Sequence, residues 1–455
     1  MRSLACLAGA AFLLLAPRAG HAIGEVIRDI RVLDNARTEE ETIRSIAGIS
    51  IGDTMEVHTL EEVRERLNTS GLFADVDVFW KPYRDGVRVN IVIRDKFPWA
   101  PVPTFSYAPG NLSGGLLVAH GNLFGRGKRG IIGGRLSTAD SGAILAYQDP
   151  AVFGSWLFLQ FSGVMQDQTI PEFPNAMDLP LKPVRETNLR SYGFSAKLGV
   201  AWFRRVKTSV GWSIDKYRLR WFRGNPEFFP GSDLLPPPAD GGIRATAEAE
   251  VTFDFRAREH AVMWGNALSF SADQGDPRWG GDPQFKYWKA RVQYEHGFRL
   301  FRSQNLIVRA GGFVGRDLPF WSENTAGGGG LRGYLHRQYA GDTQVRTQVE
   351  YHFPLFSIQK LDVRGVLFND ASAIYFRDLP ELDPTGQQYL DRADGRRFLP
   401  PAYLSEGFDR NRDVHTSAGA GLRFFLRSVA VPLVGIDVGY PIPEGPARVL
   451  IVVGA

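Results

Sequence analysis

The stretch from Thr343 to Phe356, TQVRTQVEYHFPLF, decides the fold of this chain. One set of alternate residues is mostly apolar or aromatic: Val345, Thr347, Val349, Tyr351, Phe353 and Leu355. The other set is polar or charged: Gln344, Arg346, Gln348, Glu350 and His352. A period of two predicts a β-strand with one apolar and one polar face. Residues 191–202 and 288–295 repeat the pattern, which fits either a soluble β-sandwich or a membrane barrel.

Composition narrows the class of protein. The chain has 455 residues with 53 basic and 49 acidic side chains, and no block of like charge favours a nucleic acid partner. Mean hydropathy is −0.17. Beyond the first two dozen residues no apolar run approaches the ~20 residues of a membrane helix. A polytopic helical membrane protein is therefore excluded, whereas a barrel with averaged faces is not.

The lengths of the connections separate the two β architectures. Sixteen strands are predicted between residues 103 and 454. The connections after even-numbered strands are mostly short, such as 204–205, 257–259 and 357–360, whereas several after odd-numbered strands are long: 166–188, 222–242, 316–342 and 377–413. Short turns at one end and long loops at the other are typical of outer-membrane barrels. We therefore predict a mainly β chain whose residues 101–455 form a 16-stranded antiparallel transmembrane β-barrel in a lipid bilayer.

The first 22 residues have the pattern of a secretory signal peptide. Arg2 precedes an apolar core from Leu4 to Ala16, and Gly20-His21-Ala22 places small residues before the predicted cleavage site. This segment contains Cys6, the single cysteine of the chain. The mature protein is therefore expected to contain neither disulfides nor cysteine-ligated metals.

Residues 24–96 are predicted to form a small α+β domain of order β-α-α-β-β. Thr38–Glu41 and Thr59–Glu62 match helix capping boxes, and Asp85-Gly86 predicts a tight turn between the last two strands. With Gly71–Val76 at the helix-to-strand junction, this order resembles a POTRA domain. The resemblance implies a periplasmic domain whose sheet edge pairs with an unfolded or extended client polypeptide. Any other small α+β domain remains the alternative.

A glycine-rich loop and four other segments form a second pattern that is similar to a known family. Gly327-Gly328-Gly329-Gly330-Leu331-Arg332-Gly333-Tyr334 lies between predicted strands 11 and 12. Four further segments stand in matching order: Gly121–Gly125, Asp149-Pro150, Glu350–Pro354 and Phe368–Asp370. Together with the POTRA-like domain, the chain resembles the BamA/TamA-type outer-membrane insertase superfamily of bacterial surface antigens, which also includes two-partner secretion transporters.

The resemblance implies roles for particular residues. The motif residues Leu331, Arg332, Gly333 and Tyr334 would lie in a loop folded back into the barrel, with Arg332 paired to acids of the inner wall. The candidate acids are Glu350 and Asp370, and alternation places both on polar faces. Alternatively, both are ordinary lumen charges that contact water. Gly419 and Gly421 fall on the polar face of strand 14 and leave room in the lumen.

The function implied by the resemblance is insertion and assembly of outer-membrane proteins, or translocation of polypeptide, in the bacterial outer membrane. By analogy, a weak seam between first and last strands would open; the first strand, predicted at 103–108, is short and begins at a proline. Accessory periplasmic proteins are further partners that the resemblance allows. The alternatives are a secretion pore for one exported protein, and a barrel with a transport or structural role and no client.

Enzymatic function is not predicted. The sequence contains neither G-x-S-x-G nor H-E-x-x-H, and its two G-x-G-x-x-G matches open no helix after a buried parallel strand. We therefore expect no catalytic residue, no cofactor and no metal. An outer-membrane enzyme whose catalytic residues lie at the barrel rim without a local motif remains an alternative.

Overall fold

The structure, a computed structural model, describes residues 22–56, 58–173, 182–202, 205–228, 231–234, 241–259, 261–359, 361–378, 381–382, 388–392, 395–399, 408–426, 432–442 and 445–453. The chain divides into two compact units. The first comprises residues up to Trp99 together with Gly121–Lys128, and the second comprises Ala100–His120 and Arg129–Ala455. The predicted signal peptide lies outside the described residues except for its last position, Ala22, and stays a prediction.

The N-terminal unit is a mixed sheet covered by two helices. Its elements are β1 (Ala22–Leu33), α1 (Glu40–Ala47), β2 (Thr54–Glu56), α2 (Thr59–Thr69), β3 (Phe73–Tyr83) and β4 (Gly86–Asp95). The sheet order is β2-β1-β4-β3, with β1 parallel to β4 and the other pairs antiparallel. The helices bury Ile43, Ala47, Val63 and Leu67 in one apolar core with the strands. In the described part of the chain, no strand pairs with the outer edge of β3.

The prediction of two capping boxes is wrong. Glu39 is the N-cap of α1 and makes no side-chain cap hydrogen bond. The Thr38 hydroxyl donates instead to the Asp95 carboxylate. The Thr59 hydroxyl accepts from the backbone N–H of Glu56 at 2.8 Å and does not cap α2. The hydroxyls of Thr38 and Thr59 thus bond to residues outside their helices. The capping-box pattern, which covers four consecutive residues, does not show such partners.

The second unit is built from strands with few helical residues. Its first strands are β5 (Trp99–Ala108), β6 (Asn111–Leu123), β7 (Lys128–Ser137), β8 (Asp140–Asp149), β9 (Leu157–Glu172), β10 (Arg185–Trp202), β11 (Val206–Gly224), β12 (Gly241–Asp254) and β13 (Ala257–Glu259). Then come β14 (Val262–Gly275), β15 (Tyr287–Leu300), β16 (Gln304–Arg316), β17 (Asn324–Ala326), β18 (Tyr339–Gly341), β19 (Thr343–Ile358) and β20 (Leu361–Tyr375). The last elements are β21 (Glu381–Leu382), β22 (Gln388–Arg392), β23 (Gly395–Leu399), α3 (Arg410–Asp413), β24 (Val414–Leu426), β25 (Pro432–Ile442) and β26 (Arg448–Val453). No helix in the described part of the chain is long and apolar enough to cross a membrane.

Sixteen antiparallel strands close a barrel, which confirms the predicted fold class. They are β5 to β12, β14 to β16, β19, β20 and β24 to β26, while β13 extends the pairing of β14. Each wall strand pairs with its sequence neighbours in the wall, and β26 pairs with β5 to complete the ring. Closure matters in lipid because every backbone N–H and C=O in the hydrocarbon layer needs a partner within the protein.

The stretch Thr343–Phe356 lies in β19, and the two faces of this strand differ in exposure as predicted. Val345 exposes 58% of its surface, whereas Glu350 exposes 6%. The alternation breaks near the end of the strand, because a β-bulge shifts the register between Pro354 and Phe356. Leu355 and Phe356 are therefore both exposed. The strict period predicted for this strand holds only up to the bulge.

The first barrel strand is longer than predicted. It begins at Trp99 rather than at Pro103, because a proline in extended conformation fits a strand even though it donates no hydrogen bond. Among the described residues, which end at Val453, its pairing with β26 covers residues 105–107 and 451–453. Over this part of the chain the described seam is short because few residues pair across it, and not because β5 is short.

Asp95 offers a test of the N-terminal unit. Its carboxylate accepts the backbone N–H groups of Ala36 at 2.9 Å and Arg37 at 2.7 Å, besides the Thr38 hydroxyl. We expect Asp95→Ala to destabilise this unit by about 1–3 kcal/mol, because three donors lose their acceptor. Hydrogen exchange of the full chain should show faster exchange across residues 36–47.

The matched control is Asp85→Ala. Asp85 pairs with Arg28 on the surface, where both side chains are exposed, so its loss should change stability by less than about 1 kcal/mol. Equal exchange rates in the Asp95 and Asp85 variants would contradict the anchoring role of Asp95.

Candidate functional site

Residues 327–341, which we name the lumen loop, cross the interior of the barrel between β16 and β19. The Tyr334 hydroxyl donates to the carbonyl of Thr416 in β24 at 2.9 Å. Arg448 of β26 donates to the Gly333 carbonyl at 2.7 Å. The backbone N–H of His336 donates to the carbonyl of Pro109, just after β5, at 2.8 Å. These partners lie on β24, β26 and the end of β5, which stand close together in the barrel order, so this part of the loop docks on one side of the wall.

Arg332 is the centre of the site. Its guanidinium binds both oxygens of Asp370 in β20, at 2.8 and 2.6 Å, and its backbone N–H adds a third bond at 3.0 Å. Nη1 lies 2.7 Å from Oε1 of Glu350 in β19. The structure therefore brings together the Arg and both acids that the resemblance assigned to it.

A third carboxylate, that of Asp437, also contacts Arg332. This contact was not predicted from the sequence. Oδ2 of Asp437 in β25 lies 3.2 Å from Nη1 of Arg332. Alternation in β25 places Asp437 on the same face as Gly435 and Gly439, which would have assigned it to the lumen. It stands 105 residues from Arg332, so nothing local connects the two.

Further cations surround these carboxylates. Arg423 binds Asp437 through two bonds of 2.6 and 2.9 Å, and Arg309 lies 3.1 Å from Glu350. His352 hydrogen-bonds Glu350 at 3.0 Å. We name the set of Arg309, Arg332, Arg423, Glu350, Asp370 and Asp437 the arginine–carboxylate network. Its three guanidiniums and three carboxylates balance, and a buried charge set is stable only when its charges are compensated.

Burial makes the Arg332 contacts strong. Its side chain is 3% exposed, and that of Asp370 is fully buried. Burial disfavours the charged guanidinium, but the hydrogen bonds with Asp370 outweigh this effect and raise the pKa of Arg332 above its ordinary value. Bidentate geometry of this kind suits Arg and is not available to Lys.

Glycines on the facing strands make room for the network. Cζ of Arg332 lies 3.5 Å from the ring centroid of Phe368, which is a close cation–π contact. A Cβ at Gly419 would collide with that ring, and one at Gly421 would collide with the Asp437 carboxylate. The lumen space predicted beside these two glycines is therefore occupied by Phe368 and Asp437.

Gly333 and Gly439 let the loop reach the wall. Gly333 has φ +92°, which favours glycine, and a Cβ on Gly439 would lie 2.7 Å from the Gly333 nitrogen. The loop backbone thus packs directly on the backbone of β25. A side chain at position 439 would hold the loop away from the wall.

The other two motif residues anchor the loop by packing. Leu331 is fully buried in a cluster with Ala326, Tyr339 and Ile374. Tyr334 is 1% exposed and meets the ring of Tyr339 edge-on at 5.7 Å. Burial raises the pKa of Tyr334 to about 12, so its hydroxyl stays protonated and donates to the wall.

The lumen loop makes a second set of polar contacts, with β8 on the other side of the barrel. These contacts were not predicted from the sequence either. His336 Nε2 lies 2.9 Å from Oδ2 of Asp140 in β8, and Arg337 lies 3.6 Å from the other oxygen. No motif links Asp140 to the loop, so only the structure shows this contact. Over the ranges that the structure describes, no group of three or more His, Cys, Asp or Glu side chains is arranged to hold a metal ion.

The fold and site define an outer-membrane β-barrel that is preceded by a small α+β domain and filled by an arginine-anchored loop. Residues 122–444 match the Omp85 superfamily domain, and residues 25–96 match the surface antigen variable number repeat, which is the POTRA domain. The chain belongs to the Omp85 superfamily. It lies in the outer membrane, with its POTRA domain in the periplasm.

Solved structures share the fold at low sequence identity. BamA from Haemophilus ducreyi lacking POTRA domains 1–3 is 16% identical with a TM-score of 0.64, over 94% of this chain and 84% of that one. CdiB from Acinetobacter baumannii is 12% identical with a TM-score of 0.60, over 94% and 74%. CdiB from Escherichia coli is 11% identical with a TM-score of 0.55, over 97% and 93%. No curated protein sequence matches the chain.

We expect Arg332→Ala to destabilise the barrel without preventing its export. Removing the guanidinium leaves Asp370 buried without its cation, which costs about 3–5 kcal/mol in buried ion pairs. The variant should unfold at a lower temperature in a gel assay of heat-modifiability.

Arg316→Ala is the control, because Arg316 is exposed at the end of β16 and its Nε lies 3.9 Å from a carboxylate oxygen of Asp317, which is exposed as well. An Arg332 variant that unfolds at the same temperature as this control would show that the network does not stabilise the barrel.

Gly439→Val should displace the lumen loop while keeping the barrel closed, because its side chain would overlap the backbone at Gly333. The expected result is a larger single-channel conductance and faster proteolysis within residues 327–341. Gly163→Val is the matched control, since a Cβ at Gly163 would meet nothing within 4 Å. Conductance equal to that of the control would contradict loop docking through this contact.

Proposed function

We propose that this protein inserts polypeptide into the outer membrane, or moves it across, by opening the seam between β5 and β26. The observation that supports this proposal is the short pairing of 105–107 with 451–453 among the described residues, which end at 453. The neighbouring pair β25–β26 is joined over 434–439 and 448–453, and β10–β11 over almost their full lengths. The seam therefore needs the fewest broken hydrogen bonds to open among these pairs.

An open seam would present unpaired strand edges to a client. The exposed N–H and C=O groups of β5 and β26 would act as a template on which an extended segment adds as a new strand. Pro101 and Pro103 in β5 donate no hydrogen bonds, so the edge that remains available to a client begins after them.

The lumen loop touches both sides of this seam. Arg448 of β26 binds the Gly333 carbonyl, and His336 binds the carbonyl of Pro109 at the end of β5. Separation of the two strands would break at least one of these bonds. The loop and the seam are therefore coupled, with the arginine–carboxylate network (defined above) holding the loop in the closed arrangement.

The POTRA domain supplies the proposed site of client capture. The outer edge of β3 (Phe73–Tyr83) has no strand partner in the described part of the chain. An extended polypeptide would pair there through its main chain, so recognition would depend little on client sequence. Accessory periplasmic proteins are further proposed partners of this domain.

A dedicated secretion pore for one exported protein is the second candidate. The POTRA match spans residues 25–96, and a domain of this size offers a limited surface for accessory subunits. This observation favours a protein that handles one client over a general assembly machine.

A disulfide across the seam tests the proposal. Ser106 and Val452 lie directly opposite each other, so Ser106→Cys with Val452→Cys should form a cross-strand bond. In cells that depend on this variant, oxidation should lower the amounts of many outer-membrane proteins, and reduction should restore them. The measurement is a quantitative proteome of the outer membrane.

The control tether joins Ala420→Cys to Val438→Cys across β24 and β25, which should not separate, and it should leave the proteome unchanged. Loss of a single exported protein in the seam variant would favour the secretion pore. An unchanged proteome with the seam bond formed would contradict both candidates.

A further inference from the structure

Two lumen arginines have no carboxylate partner. Arg291 of β15 and Arg346 of β19 make neither an ion pair nor a hydrogen bond with any side chain that the structure describes. Basic residues nearby are paired: Lys289 lies 3.1 Å from Asp273, and Arg309 lies 2.7 Å from Glu295. Arg291 is exposed and Arg346 is half-buried, so water weakens the repulsion between the two guanidiniums, but an anion between them would still be attracted by both charges.

Alternation places both arginines in the lumen. Arg291 shares its face of β15 with Glu295, which binds Arg309 of the neighbouring strand. Arg346 shares its face of β19 with Glu350, which binds Arg332 of the lumen loop. Side chains two and four residues apart on a strand point to the same side.

The two arginines line one recess in the wall. This cavity has a volume of about 220 Å³, and its polar lining comes from Arg291, Gln293, Asn324, Gln344 and Arg346. Gly311 lies opposite Gln293 on one neighbouring strand and opposite Arg346 on the other. Because glycine has no side chain, the Arg346 side chain lies over Gly311, with its Nε 3.2 Å from the position that a Cβ would take. A second cavity of about 310 Å³ shares Gln293 and Arg346 with the recess, and its further charged lining is Glu250, Arg256, Glu295 and Arg309.

The recess itself is rich in hydrogen-bond donors, and none of the described residues that line it is a carboxylate. Arg291 makes a cation–π contact with the ring of Phe313, with its Cζ 5.9 Å from the ring centroid. The Gln344 side chain forms hydrogen bonds with Asn324 and with Ser372. Gln293, by contrast, makes no hydrogen bond that the structure describes. Two guanidinium forks and a free amide suit a doubly charged tetrahedral oxyanion, and guanidiniums bind such oxyanions through paired hydrogen bonds.

We propose that the recess between Arg291 and Arg346 is a binding site for a phosphate group. The bound oxyanion supplies the negative charge that the wall lacks at this point. The site is separate from the arginine–carboxylate network, in which every guanidinium already has its acid.

The site adjoins the glycine turn of the lumen loop. Gln348, two residues beyond Arg346, donates to the carbonyls of Gly329 and Gly330 at 3.4 Å each. A Cβ on Gly330 would lie 4.0 Å from Nη1 of Arg346. Phosphate bound here fixes Arg346 beside the turn and so stabilises the docked loop.

Calorimetric titration of the full-length protein in detergent tests the proposal. The ligands are inorganic phosphate and glycerol phosphate, each compared with chloride at equal ionic strength. We expect saturable binding of phosphate and a rise in the unfolding temperature of the barrel. Binding of both ligands shows that the site accepts a phosphate group on a larger molecule, and binding of inorganic phosphate alone shows a site for the free anion.

Two variants locate the binding. Arg291→Gln with Arg346→Gln should weaken phosphate binding roughly tenfold or more, because two charge-assisted contacts are lost. Gly311→Leu keeps both charges but displaces the Arg346 side chain from its position over Gly311, and should have the same effect even if the double variant fails to fold. Arg316→Gln, with one exposed arginine removed, should bind phosphate as the unmodified protein does.

The proposal is overturned if phosphate gives no saturable heat beyond that of chloride. It is also overturned if the folded Gly311→Leu variant binds phosphate as tightly as the unmodified protein. Tighter binding of an acidic peptide than of phosphate would assign the recess to carboxylates instead.

Discussion

The charge of Arg332 must be compensated inside the barrel, and the rest of the lumen is arranged around this requirement. Three carboxylates reach the guanidinium from β19, β20 and β25, so a single loop residue ties together strands far apart in sequence. The same requirement accounts for the missing side chains at Gly419, Gly421 and Gly439. A larger residue at any of these positions would occupy space that the network or the loop backbone needs.

The barrel itself follows from alternation, which is why the wall strands were predictable. Val345 and Glu350 lie on opposite faces of β19 because successive side chains of a strand point to opposite sides. The bulge at Leu355 and the early start of β5 were not predictable, since both depend on pairing with a neighbouring strand. The capping boxes failed for the same reason, because Thr38 found a partner 57 residues away in Asp95.

The candidate site was predictable only in part. Arg332, Glu350 and Asp370 came from a resemblance, and alternation agreed with the placement of both acids. Asp437 and Asp140 carry no motif, and their contacts with the loop depend on how the closed barrel brings β8 and β25 around it. Alternation tells which way a side chain points but does not tell which residues meet across a lumen.

The lumen loop also carries a net positive charge. Residues 327–341 contain Arg332 and Arg337 and no acidic residue, while the balancing carboxylates belong to the wall. Movement of the loop along the barrel axis therefore separates charge. Moving one elementary charge through a potential of 100 mV changes the energy by about 2.3 kcal/mol. A voltage applied across the membrane would therefore favour the docked loop at one polarity and disfavour it at the other.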